Sequence, residues 1–597
     1  MRARDWLSAL RFRPRLVDCL AAGYTRDDLY ADAIAGLTVG IVALPLAMAF
    51  AVASGVTPQA GIFTAIIAGF LISALGGSRL QIAGPAGAYV VIVYGIVVHY
   101  GVANLVVCTV GAGVLQLAMG LGRLGGLIRF IPMSIVIGLT NGIAVLILLF
   151  QVRDFAGLGI AMPDEFFTRL RTIAASIGAV DPVTVAVGTG CLAILGLWPK
   201  SITTGGEALE AESRGAAKTT DDEAALHDRA LSNTMRRGRQ FLTRLPGPMV
   251  MLVAGSLAVA LLRLDVETIG TRFGGIPQAL PAFAWPDVSL STLRNLVAPT
   301  ITIALLGAIE SLLSARVADT LIDDRHDPNQ ELVAQGIANI VAPFFGGIPA
   351  TGAIARTATN VHAGARTPVA GIVHAVTLLA IVLIAAPLAR FVPITALSAV
   401  LIMVAFNMVD WHAFRELRKY SIPYRAVLVT TFIVTVVFDI TLAVEIGLVL
   451  ASLFFIYRVS DLTKIDRITL DGIPPGIAAF KVFGSLFFGS VAKLEPLLDP
   501  VRTPARIVIL EMHQVISIDN TGLETLRSLK NSLARREGRL ILCGLNRNPA
   551  DQVARGAFLD PADVVPHLAS ALFRAHKLAG KSAQPDLFVA QTESEAE

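Results

Sequence analysis

The sequence predicts a polytopic α-helical membrane protein of fourteen spans, built as a seven-plus-seven inverted repeat and followed by a small α/β domain. Three observations carry this reading. Hydrophobic residues make up 54% of the chain and charged residues only 16%, with a mean hydropathy of +0.67, a composition that soluble domains do not reach. Apolar runs recur at about 31–54, 59–76, 86–99, 103–122, 131–151, 179–198, 246–263, 296–318, 331–345, 353–363, 367–389, 393–409, 424–438 and 440–457. After Thr463 the pattern changes to short β-type runs alternating with amphipathic helical ones.

Taken in order, residues 1–30 form a basic, amphipathic lead-in with Arg2, Arg4, Arg11, Arg13 and Arg15 ahead of any apolar run, unlike a cleavable leader. With this end in the cytoplasm, the cytoplasmic loops hold Arg79, Arg123, Arg129, Arg325, Arg366, Arg415, Arg418 and Lys419, and the short outer loops are nearly free of basic residues. An even number of spans then returns the chain to the cytoplasm at Arg458. Residues 201–240 are rich in small and charged side chains and read as a disordered cytoplasmic loop. The net charge of +4 reflects these loops and gives no reason to expect a nucleic-acid partner. Cys19, Cys108, Cys191 and Cys543 are scattered without metal-ligand spacing, so no metal or cofactor is expected.

The chain is organised around Gly346–Thr367, GGIPATGAIARTATNVHAGART. Pro349 and Gly352 break it, and Arg356 lies inside it. Irregular backbone persists at membrane depth only when it is buried in protein or lines a cavity. The helical part after Gly352 is about half a bilayer long. Its N-terminal amides and positive dipole end suit an anion. The first half contains a counterpart. Gly76–Gly77 precedes Gly84-Pro85-Ala86-Gly87-Ala88, as Gly346–Gly347 precedes Pro349-Ala350-Thr351-Gly352-Ala353. Both are the third apolar segment of a seven-segment half, and because seven is odd the halves run inverted. Matching interrupted segments point to a transporter's central site.

Two intramembrane charges stand out. Arg356 is always charged and suited to gripping a carboxylate or oxyanion, with pairing to a carboxylate or to helix-end carbonyls as the alternative. Glu310 lies near the middle of the eighth span, with Ser314 four residues on and on the same face. Its charged form is costly there, so a neutralising H+ or Na+ is favoured; an ion pair with Arg356 is the other reading. His374 reads as core packing, and Asp439 and Glu445 as boundary residues.

In the last domain, strands are expected at 478–486, 506–511 and 539–544, and helices at 490–499, 521–535 and 564–577. It shows no phosphate loop or nucleophile constellation, so an enzyme is not expected. Residues 466–580 are taken as this domain and 581–597 as a flexible tail.

These residues carry a family resemblance. Ala35–Gly55 (AGLTVGIVALPLAMAFAVASG), the Gly84-Pro85 break, Gly307-Ala308-Ile309-Glu310-Ser311 and Gly346–Thr357 resemble the SulP/SLC26 anion transporters. Ile518-Asp519-Asn520-Thr521-Gly522 resembles the loop-to-helix motif of their STAS domain. The likeness is greatest to bacterial members that include a C4-dicarboxylate carrier; other members carry sulfate or bicarbonate. It implies a core domain of spans 1–4 and 8–11, a gate domain of spans 5–7 and 12–14, elevator-like movement between them, and a homodimer in the bacterial inner membrane. It places the substrate between Gly84, Pro85, Ala86, Gly87 and Ala88 on one side and Thr351, Ala353, Ile354, Ala355, Arg356 and Thr357 on the other. Glu310 and Ser314 are the coupling candidates, for H+ or, as in bicarbonate carriers, Na+. Asn520 stands where phosphorylation-switched relatives have serine, and Thr521 reads as a helix N-cap. A docking role toward a cytoplasmic partner is therefore expected of the STAS domain. An uncoupled anion channel and a membrane-tethered sensor are the competing readings.

Overall fold

The computed structural model describes residues 13–126, 132–160, 162–163, 165–198, 247–278, 283, 290–438, 440–469, 475–499 and 503–580. The expected disordered loop, the tail and Asp439 lie outside these residues. The chain divides into two compact units, Met1–Leu448 and Val449–Glu597.

Every expected apolar segment is helical over most of its described length. In order these helices are α1 (Arg26–Ala53), α2 (Pro58–Leu75), α3 (Gly87–Leu121), α4 (Met133–Phe155), α5 (Pro182–Leu197), α6 (Gly247–Leu262), α7 (Leu290–Ile322), α8 (Pro328–Val341), α9 (Ile354–His362), α10 (Val369–Ala389), α11 (Ile394–Met408), α12 (Ile422–Val437) and α13 (Ile440–Leu462). The third and fourth segments are joined in α3 across a kink at Gly101, where φ is +82°. Among the described residues, seven helices are long and apolar enough to cross a membrane: α1, α2, α3, α4, α7, α10 and α13. Helices α5, α6, α11 and α12 are apolar but shorter. The nine residues of α9 cross only part of a bilayer.

Local chemistry sets the helix starts. Thr25 and Asp28 form a reciprocal capping box at α1. Asp181 and Asp327 cap α5 and α8, each followed by proline. Packing sorts the helices into two groups. In one, α8 lies against α2 and α3, α10 against α1 and α2, and α7 against α3 and α9. In the other, α12 lies against α4, α11 against α4 and α5, and α6 against α5. Small residues allow the close approach that apolar lipid does not itself drive. A Cβ on Gly61 would fall 2.0 Å from the Ala47 carbonyl oxygen, and one on Gly138 2.6 Å from that of Leu428.

In the second unit, β3 (Lys464–Ile468), β4 (Ile477–Leu486), β5 (Ile507–Ile518), β6 (Arg539–Cys543) and β7 (Val564–Val565) form one sheet in that order. Only β3–β4 is antiparallel. Helices α14 (Asn520–Ala534), α15 (Arg547–Gly556) and α16 (Leu568–Leu578) complete it. Val508 and Leu510 pack with Leu526, Leu529 and Leu533 of α14, while Ile509 and Ile541 pack with Ala571, Leu572 and Ala575 of α16. A sheet buried on both faces is what parallel pairing requires.

Three expectations in this unit are corrected. The helix expected at 490–499 is a 3-10 turn, Val491–Lys493, and one helical turn, Glu495–Leu498. The strand expected to end at 511 runs to Ile518, with irregularities opposite β4 that absorb the polar interruptions. The N-cap of α14 is Asp519, not Thr521: its carboxylate accepts from the Gly522 amide at 2.7 Å and from the Phe488 amide at 3.1 Å.

Candidate functional site

The two interrupted segments meet. Ala83–Gly84 (β1) and Thr351–Gly352 (β2) pair antiparallel, Ala83 opposite Gly352 and Gly84 opposite Thr351. Helices α3 and α9 start just beyond this ribbon, so their N-termini flank one crossing point. The amides of Gly87 and Ala88, and of Ile354 and Ala355, precede any intrahelical acceptor. Ala353 instead donates its amide to the Ile82 carbonyl at 2.9 Å, which fixes where α9 begins.

Arg356 bridges the halves. It is 2% exposed, and its Nη2 donates to the Pro85 carbonyl at 3.0 Å. Its Nη1 is buried without a hydrogen-bond partner. The guanidinium passes close to Gly84, where a Cβ would lie 2.4 Å from Nη1. One arm of the arginine is thus anchored on the opposing segment and the other is free. A buried guanidinium with one nitrogen unpartnered is costly unless an acceptor meets it.

The remaining candidate residues divide by role. Gly84, Pro85, Ala86, Gly87 and Ala88 are all buried, with Ala86 as the N-cap of α3. A Cβ on Gly87 would sit 3.3 Å from both Met408 Sδ and Phe50 Cε1, so α11 and α1 bound the space beside it. Ile354 and Ala355 are exposed at the open end of α9. Thr351 and Thr357 are buried with their hydroxyls engaged. Thr351 donates to the Gly307 carbonyl at 2.9 Å. Thr357 Oγ1 accepts from the Ile82 amide at 3.0 Å and shares a 3.0 Å hydrogen bond with Ser314 Oγ. Their part is to position the ribbon.

Glu310 and Ser314 both lie on α7 but are not joined. Ser314 is held by Thr357, whereas Glu310 Oε2 is buried without a partner. Glu310 and Arg356 lie within Coulombic reach of each other, yet among the described residues no ion pair within 4.0 Å joins them. The direct salt bridge considered from sequence is not formed. His374 is fully buried, and neither ring nitrogen has a hydrogen-bond partner.

Sequence reasoning missed the polar scaffold behind the ribbon. Gln81 donates to Ser311 Oγ at 2.9 Å. Thr64 accepts from the Ile348 amide at 2.7 Å. Asn339 accepts from the Ala350 amide at 2.8 Å and donates to Gln116 Oε1 at 2.9 Å. The signal was present: carboxamides inside apolar segments need partners. Asp32 likewise holds the turn after α9, accepting from the Arg366 and Thr367 amides at 2.7 and 3.0 Å. Among the described residues no cluster of three or more His, Cys, Asp or Glu is placed to hold a metal ion.

Comparison with known proteins agrees with this architecture. The chain is 36% identical over 537 residues to the putative sulfate transporter YvdB of Bacillus subtilis (strain 168), covering 89% of this chain and 94% of that one. It is 27% identical over 490 residues to the bicarbonate transporter BicA of Picosynechococcus, covering 77% and 79%. The solved transmembrane domain of a cyanobacterial BicA matches with a TM-score of 0.57 at 27% identity, over 72% of this chain and 98% of that one. The overall structure of SLC26A9 matches with a TM-score of 0.78 at 16% identity, over 97% and 95%, and so shares the fold. Residues 471–571 match the STAS domain model and residues 29–432 that of the sulfate permease family. The chain belongs to the sulfate permease family of membrane anion transporters, with a STAS domain at its C-terminal end.

Proposed function

We propose that the protein is a proton-coupled secondary transporter of a small oxyanion (sulfate, bicarbonate or a C4-dicarboxylate) in the bacterial inner membrane, with both termini cytoplasmic. The observation that carries this is the half-anchored Arg356 at the crossing of β1 and β2, where two helix N-termini supply unpaired amides beside a free guanidinium arm. The anion lies between Gly84–Ala88 and Ala353–Thr357, with Arg356 as its charged ligand. Relatives named as sulfate and bicarbonate transporters support that substrate class. The two helix groups supply the core and gate of an elevator-like movement, in a homodimer.

Glu310 is the coupling group. A buried carboxylate with an unpartnered oxygen is a cost that a passive channel gains nothing from. Protonation neutralises it while anion is bound, and release on the other side of the membrane ties the two gradients together.

Uphill uptake and counterflow exchange of each radiolabelled anion in liposomes test this, with pH and Na+ gradients imposed separately. Wild-type protein concentrates its anion when the pH gradient alone is applied. Glu310→Gln keeps counterflow exchange and loses concentration against the gradient. Uphill transport retained in Glu310→Gln, or driven only by Na+, overturns proton coupling through this residue.

A further inference from the structure

Helix α8 carries Glu331, Gln335 and Asn339 four residues apart, on one face, all fully buried. Asn339 is explained by its hold on Ala350. Gln335 donates to the same Ala350 carbonyl at 3.3 Å, and its Nε2 lies 2.8 Å from where a Cβ of Gly307 would be, one helical turn from Glu310. Glu331 is the residue the scaffold does not account for. Its Oε2 accepts from the Gly77 amide at 2.9 Å and the Ser78 amide at 3.0 Å. A glutamine oxygen would serve that purpose equally well, and without charge. The other oxygen, Oε1, is buried without a partner, as are Gln335 Oε1, Ser78 Oγ, Gln81 Oε1 and Glu310 Oε2. These unused acceptors mark a polar seam between two buried carboxyls, of the kind that internal water occupies.

The charges around Glu331 are otherwise committed. Asp319 of α7 is bonded to His326 at 2.6 Å, Asp327 caps α8, Asp324 is bonded to Arg15, and Arg79 Nε donates to the Arg366 carbonyl. Arg123 follows the end of α3. Among the described residues no cation lies within ion-pair distance of Glu331. An ionised carboxylate so placed leaves half of its hydrogen-bonding capacity unmet. A proton on Oε1 removes the charge and leaves Oε2 on the two amides.

We propose that Glu331 is a second proton-binding carboxyl, at the Gly77–Ser78 end of this seam, through which protons reach and leave Glu310. A proton taken up from that side binds Glu331 Oε1. It then passes along water bridging Gln335, Ser78 and Gln81 to Glu310 Oε2, which becomes neutral as Glu331 regains its charge. This rests on the reading of Glu310 as the coupling group.

The test uses the full-length protein with Glu331→Gln, Glu331→Asp and Glu310→Gln. In liposomes, Glu331→Gln keeps counterflow exchange and loses pH-driven uphill uptake, and Glu331→Asp retains part of it. In pH-difference infrared spectra of the purified protein, Glu331→Gln removes one protonated-carboxyl band and Glu310→Gln a different one. An unchanged carboxyl spectrum in Glu331→Gln, or undiminished uphill uptake, overturns the proposal. If Glu331→Gln does not fold, the band must shift in Glu331→Asp, and an unshifted band overturns the proposal equally. If wild type shows no pH-driven uptake, or Glu310→Gln retains it, the functional reading fails instead, and the Glu331 band still decides whether this residue binds a proton.

Discussion

At the scale of single residues, Arg356 matters because its two arms do different things. The Nη2 bond to Pro85 ties the halves together, and Nη1 is buried without a hydrogen-bond partner. Arg356→Ala is expected to fold, since Thr357 and Ala353 still secure α9 to Ile82, and to weaken anion binding. Losing one charge-assisted contact costs on the order of 1.5–3 kcal/mol, roughly ten- to a hundredfold in affinity; isothermal titration of the purified variant measures it, and unchanged affinity removes Arg356 from the site. Gly84→Ala supplies a second check. Its methyl group arrives 2.4 Å from Nη1 and must displace the guanidinium. It should weaken binding alone and add little in the Arg356→Ala background, a coupling that a double-mutant cycle reads directly. Fully additive losses would mean that Gly84 acts by another route. Arg356 was legible in the sequence because a charge inside a broken apolar segment has few structural uses. The committed hydroxyls of Thr351 and Thr357 were not, since only the fold shows which way a threonine turns.

At the scale of elements, the helices were legible wherever the apolar run was long, and the paired broken segments were legible from Gly, Pro and their order. The ribbon between them was not, because pairing Ala83 with Gly352 and Gly84 with Thr351 spans more of the chain than any local pattern records. Similarly, β3 has only exposed and half-buried positions and carries Lys464, Asp466 and Arg467, so it lacks a strand's hydrophobic signature. The short helix Arg15–Ala21 shows what local reading also misses. Arg15 Nη2 bonds both Asp324 oxygens, at 2.6 and 2.8 Å, and its amide donates to the Gly76 carbonyl at 2.9 Å. Burial pushes the Asp324 carboxyl up, but the hydrogen bonds from Arg15 and the Arg325 amide, with the charges of Arg15 and Arg79, hold it below the usual carboxylate range. The contribution of this pair is therefore complete above the unfolded value of about 3.9 and is lost as pH falls through the lower folded one. Cys19 of the same short helix is half-buried, and the other three cysteines are buried. Thiol labelling of Cys19 at neutral pH, where the thiolate that reacts is still formed, should be faster in Arg15→Ala than in wild type. Equal labelling rates in the two proteins at neutral pH would show that the pair does not hold the segment.

At the scale of the whole molecule, all the ligand candidates precede Thr367. The end of α13, from Val449 on, belongs to the α/β unit. Lys493 Nζ donates to the carbonyls of Ser460, Asp461 and Thr463, which are the helix-end acceptors that need partners. A chain ended after Leu462, before β3 begins, is expected to bind anion with wild-type affinity and to unfold at lower temperature, because the Ser460 and Asp461 carbonyls lose their cap. Calorimetry and titration on the same preparation measure both. Complete loss of binding in a monodisperse truncated protein would place part of the site outside the membrane helices.

The ribbon also has a consequence for biosynthesis. Ala83–Gly84 finds its partner only when Thr351–Gly352 has been made, and Pro85 waits equally long for Arg356, 271 positions later. At ~5–20 residues per second the ribosome needs roughly 15–50 s to supply it. Throughout that time the newborn first half holds an unpaired, proline-broken stretch of backbone that lipid cannot solvate. The nascent chain therefore has to keep this stretch in a wet or proteinaceous shelter at the insertion site until its second half arrives.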